Sequence, residues 1–360
     1  MASSLARIQI YDIYCSGFPS DNLKQKENIH LLPLKYFNRN GIGRFLARLQ
    51  TLNIYIKVKP ELIIVNSSDL LIISILYRII FGGKIIYDIQ ENYYRNLWYQ
   101  KNYTWGIRHL LAWSIRLKEI ITSPLFNHFF LAEKIYAEQL NFIGKKFLIL
   151  ENKSLKTTIN NTNAPQNDSP QFLICGTIAK EYGVFEGINF FIQIAKFTPK
   201  ATLTILGHCP NNTTYNHLIK LSINNPSIKL KLSKNPIPHT KIEDAIIEAN
   251  IGLLPYLPNK STEGKWPTKM YEFMALKLPF IIQNNSLWND MILQTNCGLS
   301  FNFTTPTQKH ILEFWKTFES ADFYSNTLPN DIYWESQEVS FFNQISKSLS
   351  DKPKHYFRFI

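Results

Sequence analysis

The chain has 360 residues, 45% of them hydrophobic and 18% charged, and a net charge of +12. This length exceeds one typical domain and the composition is that of a folded protein, so two domains with separate cores are expected. Four cysteines without a CxxC pair exclude a disulfide scaffold and a cysteine-rich zinc site, and point to reduced thiols in a cytosolic protein. The most apolar run, 70–81, is too short to span a bilayer, and residues 1–11 lack a signal-peptide layout. The positive charge favours an anionic partner: nucleic acid, an anionic membrane surface or a phosphorylated substrate.

In chain order, residues 7–14 (RIQIYDIY) read as a strand. Residues 61–66 (ELIIVN) form a second, 69–81 a helix stopped by Gly82-Gly83, and 84–89 (KIIYDI) a further strand, together one βαβ unit. A helix over 105–120 follows, then strands at 126–131 and 147–150 around a helix at 132–141. Residues 155–171 are polar, Asn- and Thr-rich and aperiodic, which marks a linker. The alternation then restarts, with strands at 172–175, 201–206, 228–232, 251–255 and 280–282 and helices at 185–197, 215–221, 242–249 and from Pro267. Alternating strands and helices imply parallel sheets. The expected layout is a first domain over 1–160, a linker at 161–171, a second domain over 172–330, and a C-terminal helix and tail at 331–360 that crosses back to the first domain.

The most informative stretch is 261–283 (STEGKWPTKMYEFMALKLPFIIQ). Pro267 fits the first helical turn, where its missing N–H is no loss, and Met270, Phe273, Met274 and Leu276 give the helix an apolar face. Its free amides and positive dipole end, beside Thr268 and Lys269, make a site for an anion such as a diphosphate. Glu272, one turn on, can accept hydrogen bonds from a ribose diol, and Glu263, before the helix, can reach toward a sugar. Asp88 and Glu91 stand at the C-terminal end of a strand, where open parallel sheets bind ligands; a strand-end turn and helix cap is the competing reading.

The order CGTIAKEYGVFEGINFF, LTILG, ANIGLLPY, EGKWPTKMYEFMALKLPFI resembles the nucleotide-sugar-binding domain of GT-B glycosyltransferases, family four in particular, over roughly 172–312. KIIYDIQENYYRNL and ILENK in the first half are similar to weaker landmarks of the acceptor domain. The resemblance implies an α/β fold of two Rossmann-like domains. It sets the donor's diphosphate against Gly176, Thr177, Pro267 and Thr268, the base near 233–238, the ribose on Glu272 and the sugar toward Glu263. Lys180 and Lys269 would supply phosphate charge, because the family's usual Arg and Lys positions hold Thr177 and Tyr182 here. Catalysis would fall to Glu263 and Lys269. Eight residues separate Glu263 from Glu272, one more than in the family's usual pair of acids, so Glu263 is the least secure transfer. Gln90 stands where relatives have a histidine and cannot act as a general base, leaving Asp88, Gln90 and Glu91 as acceptor-side candidates. The family's first strand and glycine loop have no counterpart before Arg7; they are either absent or diverged.

Residues 93–118 mix Trp98, Trp105 and Trp113 with Arg95, Lys101, Arg108, Arg116 and Lys118, which suits an interfacial helix on anionic lipid or a packing helix with a solvated basic face. No RNA-binding signature accompanies them, so nucleic acid is not an expected partner. His208, His239 and His310 lack a paired acid at useful spacing and are expected to be structural. No metal and no cofactor are expected. The sequence thus points to a cytoplasmic protein, working at the inner face of a membrane or free of it. Its expected activity is a retaining, hexosyltransferase-type transfer from a nucleotide diphosphate sugar to a polysaccharide or lipid-linked acceptor. A catalytically impaired homologue that binds or scaffolds, and a nucleotide-sugar epimerase, remain the alternatives.

Overall fold

In the computed structural model, residues 1–18, 28–35, 43–99, 104–157, 169–350 and 357–359 are described. They fall into two compact units, Met1–Asn152 with Gln337–Ile360, and Lys153–Ser336.

The first unit does not open with the strand expected over 7–14. It begins with helix α1 (Ala2–Ile8), which buries Ser4, Leu5 and Ala6. Gln9, in the left-handed region at φ 58°, ends that helix, and β1 (Tyr11–Gly17) starts only where apolar alternation begins. There follow β2 (Ile29–Pro33), α2 (Gly43–Val58), β3 (Leu62–Val65), α3 (Leu71–Phe81), β4 (Lys84–Ile89), α4 (Tyr93–Tyr99), α5 (Trp105–Thr122) and β5 (His128–Leu131). The helix expected over 132–141 shrinks to one turn, α6 (Tyr136–Gln139), because Leu140 leaves helical geometry (φ −116°, ψ 78°). β6 (Phe147–Ile149) completes the run.

The second unit holds β7 (Gln171–Thr177), α7 (Val184–Ala195), β8 (Thr202–His208), α8 (Asn212–Asn224), β9 (Ile228–Ser233) and α9 (His239–Glu248). It continues with β10 (Ile251–Leu254), α10 (Thr268–Ala275), β11 (Phe280–Gln283), α11 (Ser286–Thr295), β12 (Gly298–Phe301) and α12 (Gln308–Glu319). Helix α13 (Glu335–Leu349) and strand β13 (Phe357–Phe359) follow, and the chain rejoins the first unit from Gln337 onward. The expected linker is described only at its ends, since 158–168 lie outside the described residues.

Both sheets are parallel throughout, in the orders β2-β1-β13-β3-β4-β5-β6 and β12-β11-β10-β7-β8-β9. In the first sheet the connections β2 to β3, β3 to β4 and β4 to β5 all step the same way. Right-handed crossovers therefore set α2, α3 and α5 on one face, where α3 packs against both neighbours. Helix α13 is fixed by Phe341, whose ring meets Phe130 of β5 at 5.8 Å, and by Gln337. The Gln337 amide donates to the Glu151 carbonyl (2.9 Å) and accepts from the Glu151 N–H (2.8 Å).

The second sheet is covered on both faces. One layer centres on Phe190, Phe191 and Trp315, the other on Met270, Phe273 and Trp288. From β7 the chain steps outward through β8 and β9, then returns to pair β10 with β7 and steps the opposite way. The C-terminal ends of β7 and β10 are thus a topological switch point, where diverging connections leave a crevice.

Candidate functional site

At that switch point the end of β7 meets the start of α10. Pro267 (φ −66°, ψ 121°) is the N-cap of α10, one position earlier than expected, and has no side-chain acceptor to cap the amides behind it. Gly176 has φ 110°, a left-handed conformation that favours glycine. A Cβ there would also stand 3.0 Å from Cε of Lys269, so the lysine stem lies directly over the strand end.

Lys269 is not the solvent-facing cation that a helix start suggests. Its residue is 8% exposed, and its Nζ lies 2.5 Å from Oε1 of Glu272, one turn along the same helix. Oε2 of Glu272 is 3.5 Å from Nε2 of His239, and Nδ1 of His239 is 3.3 Å from Oε1 of Glu243. At 3.5 Å the first contact is an ion pair rather than a close hydrogen bond, and Oε2 of Glu272 is buried without a hydrogen-bond partner among the described residues. Burial alone would raise the Glu272 pKa, but His239 and then Lys269 outweigh it and hold the carboxyl below its ordinary range. His239 in turn is raised, chiefly by Glu272, against the lowering effect of burial. Burial pushes the neighbouring Cys175 thiol up to about 12, which leaves it uncharged and inert.

The structure therefore brings Gly176, Lys269 and Glu272 together, and adds His239, which sequence reasoning set aside as structural. One signal for it was present: His239 directly follows the 233–238 segment expected to face a nucleotide base. Thr177 and Thr268 are exposed at the ends of β7 and the start of α10, and Lys180 is exposed on the short turn of helix after β7. Glu263 is exposed in the turn between β10 and α10, beside Gly264 at φ 76°. The arrangement offers an anion a buried cation and a helix amide end, and offers a hydroxyl an unsatisfied carboxylate oxygen.

No family model matches the chain, and no curated protein matches it in sequence. Solved structures do. Sucrose-phosphate synthase from Thermosynechococcus elongatus superposes with a TM-score of 0.70 at 12% identity, covering 97% of this chain and 92% of that one. The fold is that of the GT-B glycosyltransferases. A glycosyltransferase from Rickettsia africae matches with a TM-score of 0.62 at 11% identity over 91% of this chain and 86% of its own. The catalytic domain of starch synthase IV from Arabidopsis thaliana, solved with ADP and acarbose, matches with a TM-score of 0.56 at 12% identity over 88% and 79%.

The remaining candidates lie in the other GT-B unit. Asp88, on β4, is 3% exposed and accepts a hydrogen bond from Nε2 of Gln90 at 2.7 Å. Burial raises its pKa to about 6, against the lowering effect of Gln90. Gln90 accepts from the Asn152 amide (3.1 Å), and Glu91 accepts from the Asn96 amide (2.9 Å). Beside them, a 330 Å³ cavity between α4 and α5 is walled by Asn92, Tyr94, Arg95, Trp113, Arg116 and Gln139, among others.

The structure corrects the expectation for Trp98 and Arg116. Trp98 is half-buried, its ring 5.3 Å from Tyr94 and 4.1 Å from His109. Arg116 is held inside the unit: it pairs with Glu119 (3.4 Å), donates to Asn92 (2.9 Å) and lies 5.1 Å from each of the Tyr94 and Phe142 rings. Lys118 likewise turns inward toward Asp69 at 3.9 Å. Lys101 lies outside the described residues.

Proposed function

We propose that this chain is a retaining, hexosyltransferase-type glycosyltransferase that moves a sugar from a nucleotide diphosphate sugar to a polysaccharide or lipid-linked glycan, in the cytoplasm at the inner face of a membrane. The observation that carries this is the convergence of Lys269 and Glu272 on Gly176 at the switch point of a GT-B donor-side unit. In this reading the diphosphate draws Lys269 away from Glu272 and takes up the open amides behind Pro267. Glu272, freed on one oxygen and still unsatisfied on the other, accepts from the ribose hydroxyls. The bond from the sugar's anomeric carbon to the β-phosphate oxygen breaks as the acceptor oxygen bonds to that carbon on the same face. The acceptor's proton passes to the departing phosphate. The protein's part is to stabilise charge on the leaving diphosphate, the work suited to fixed cations and helix ends. Glu263 would face the sugar, and Thr177, Lys180 and Thr268 would line the phosphate path.

On the acceptor side, Asp88, Gln90 and Glu91 directly precede Asn92 in the chain, and Asn92 lines a cavity whose aromatic, amide and guanidinium walls suit a sugar ring. The use of Gln90 as a donor to Asp88 favours one competing reading, a homologue that binds the donor without turning it over.

A panel of nucleoside diphosphates and their sugars, UDP and ADP among them, tests both readings; ADP is the nucleotide named with the solved starch synthase IV structure. A ligand that binds only the folded state raises the melting temperature by mass action. Stabilisation with donor turnover supports the transferase, stabilisation without turnover supports the binding homologue, and no response to any nucleotide removes both.

A further inference from the structure

Helix α5 is built inside out. Three of its charged residues are drawn inside the unit: Glu119 is buried, accepts a hydrogen bond from the Tyr87 hydroxyl of β4 (3.0 Å) and pairs with Arg116, while Lys118 turns to Asp69 at the start of α3. What it turns outward is apolar. Trp105, Leu110, Trp113, Leu117 and Ile121 are 74, 72, 56, 56 and 65% exposed and recur at helical spacing. Helix α3 does the same, exposing Ile72, Leu76, Ile79, Ile80 and Phe81, with Ile79 and Ile80 each at 68%. Its one charged side chain, Arg78, is tied down by Asn127 and the Leu125 carbonyl. Helix α2, on the other side of α3, adds Phe45, Leu46 and Leu49.

The three helices share one face of the first sheet, so these side chains form a single apolar surface, far more than isolated exposed residues would make. Its charge is one-sided. The only acid in α2, α3 and α5 is the buried Glu119, and Asp69, at the start of α3, is occupied by Arg44, Arg48 and Lys118. Arg44 and Lys57 are exposed in the first and last turns of α2.

We propose that this α2–α3–α5 face docks on a lipid bilayer whose leaflet carries anionic headgroups. A second copy of the chain fits worse. A two-fold pairing would set the two Lys57 cations, and the surplus positive charge that Arg44, Arg48 and Lys118 leave around Asp69, on one shared face that offers no exposed acid among the described residues of its three helices. An anionic leaflet satisfies both features at once: the acyl boundary takes the isoleucines, leucines and tryptophans, and the headgroups take the cations. Trp113 and Ile120 belong both to this face and to the wall of the 330 Å³ cavity, so a leaflet seated here meets the mouth of that cavity. The driving force differs from that of a basic patch, since Arg116 and Lys118 face inward. Most of the binding is insertion, which salt does not screen, and only the minor contribution of Arg44 and Lys57 is ionic.

The test is co-sedimentation of the full chain with phosphatidylcholine vesicles, with and without phosphatidylglycerol, at low and high salt. Binding is expected to both, stronger with phosphatidylglycerol and only partly released by salt. Ile80→Glu and Leu110→Glu should each lower the partition coefficient about tenfold or more, the worth of one inserted side chain, with an unchanged melting temperature. Val339→Glu, equally exposed on α13, should leave it unaltered. The proposal is overturned if the protein ignores anionic vesicles at low salt, or if the two α3 and α5 variants bind as well as the parent. It is overturned equally if sedimentation velocity shows a dimer that Ile80→Glu dissociates while no vesicle is bound.

Discussion

Lys269→Met separates the two roles of this lysine, because methionine keeps a long apolar stem over Gly176 while removing the charge. Lys269 and Glu272 have side chains only 10% and 13% exposed, so the substitution strands a carboxylate. Removing one partner of a fully buried pair costs about 3–5 kcal/mol; the residual water contact and His239 reduce this to about 1–3 kcal/mol here. For a unit of this size that lowers its melting temperature by about 2–4 °C per kcal/mol. Adding Glu272→Gln to Lys269→Met should restore part of the loss, since no stranded charge remains. For a nucleotide that binds the parent protein, losing a charge-assisted hydrogen bond of about 1.5–3 kcal/mol should weaken affinity about 10- to 150-fold in calorimetric titration. Equal affinity in Lys269→Met and parent would take Lys269 out of the site. A melting temperature unchanged in the single variant would refute the burial argument as well.

Glu272→Gln alone should weaken nucleotide binding by about 1.5–3 kcal/mol through the ribose, while a 2′,3′-dideoxynucleotide should lose far less; equal losses for both would unseat the ribose assignment. His239 is raised above 6.5, so its contribution to stability is complete below that value and disappears as pH climbs through the higher folded pKa. His239→Gln should therefore flatten the fall in melting temperature as pH rises above about 6.5, and parallel curves would disprove the contact. Asp88 is an acid raised from 3.8 to about 6, so the native state holds the proton more tightly and stability declines as pH rises from about 4 to 6. Asp88→Asn should remove that slope and stabilise the first unit at neutral pH by at most about 3 kcal/mol; if it also lowers donor turnover, the buried charge serves the reaction.

Periodicity, stop signals and the restart of alternation after a polar stretch made two parallel α/β layers legible before any coordinates, because burying both faces of a parallel sheet demands strands and helices in strict turn. The α10 motif was legible for the same reason: Pro267, Lys269 and Glu272 belong to one helix start, where spacing along the chain fixes spacing in space. Distances between elements had no such trace. That Lys269 lies over Gly176 depends on β7 and β10 pairing at a switch point, which no local pattern encodes. His239 comes to Glu272 across two separate helices; its place after 233–238 hinted at the nucleotide base, but nothing in the chain set it against Glu272. The direction of α5 shows the limit most plainly. Its sequence displays aromatics beside cations, and either set would suit a surface. Only the packing of Glu119 against Tyr87, which draws Arg116 inward to neutralise it, decides that these charges turn inside the unit and the apolar side chains face out.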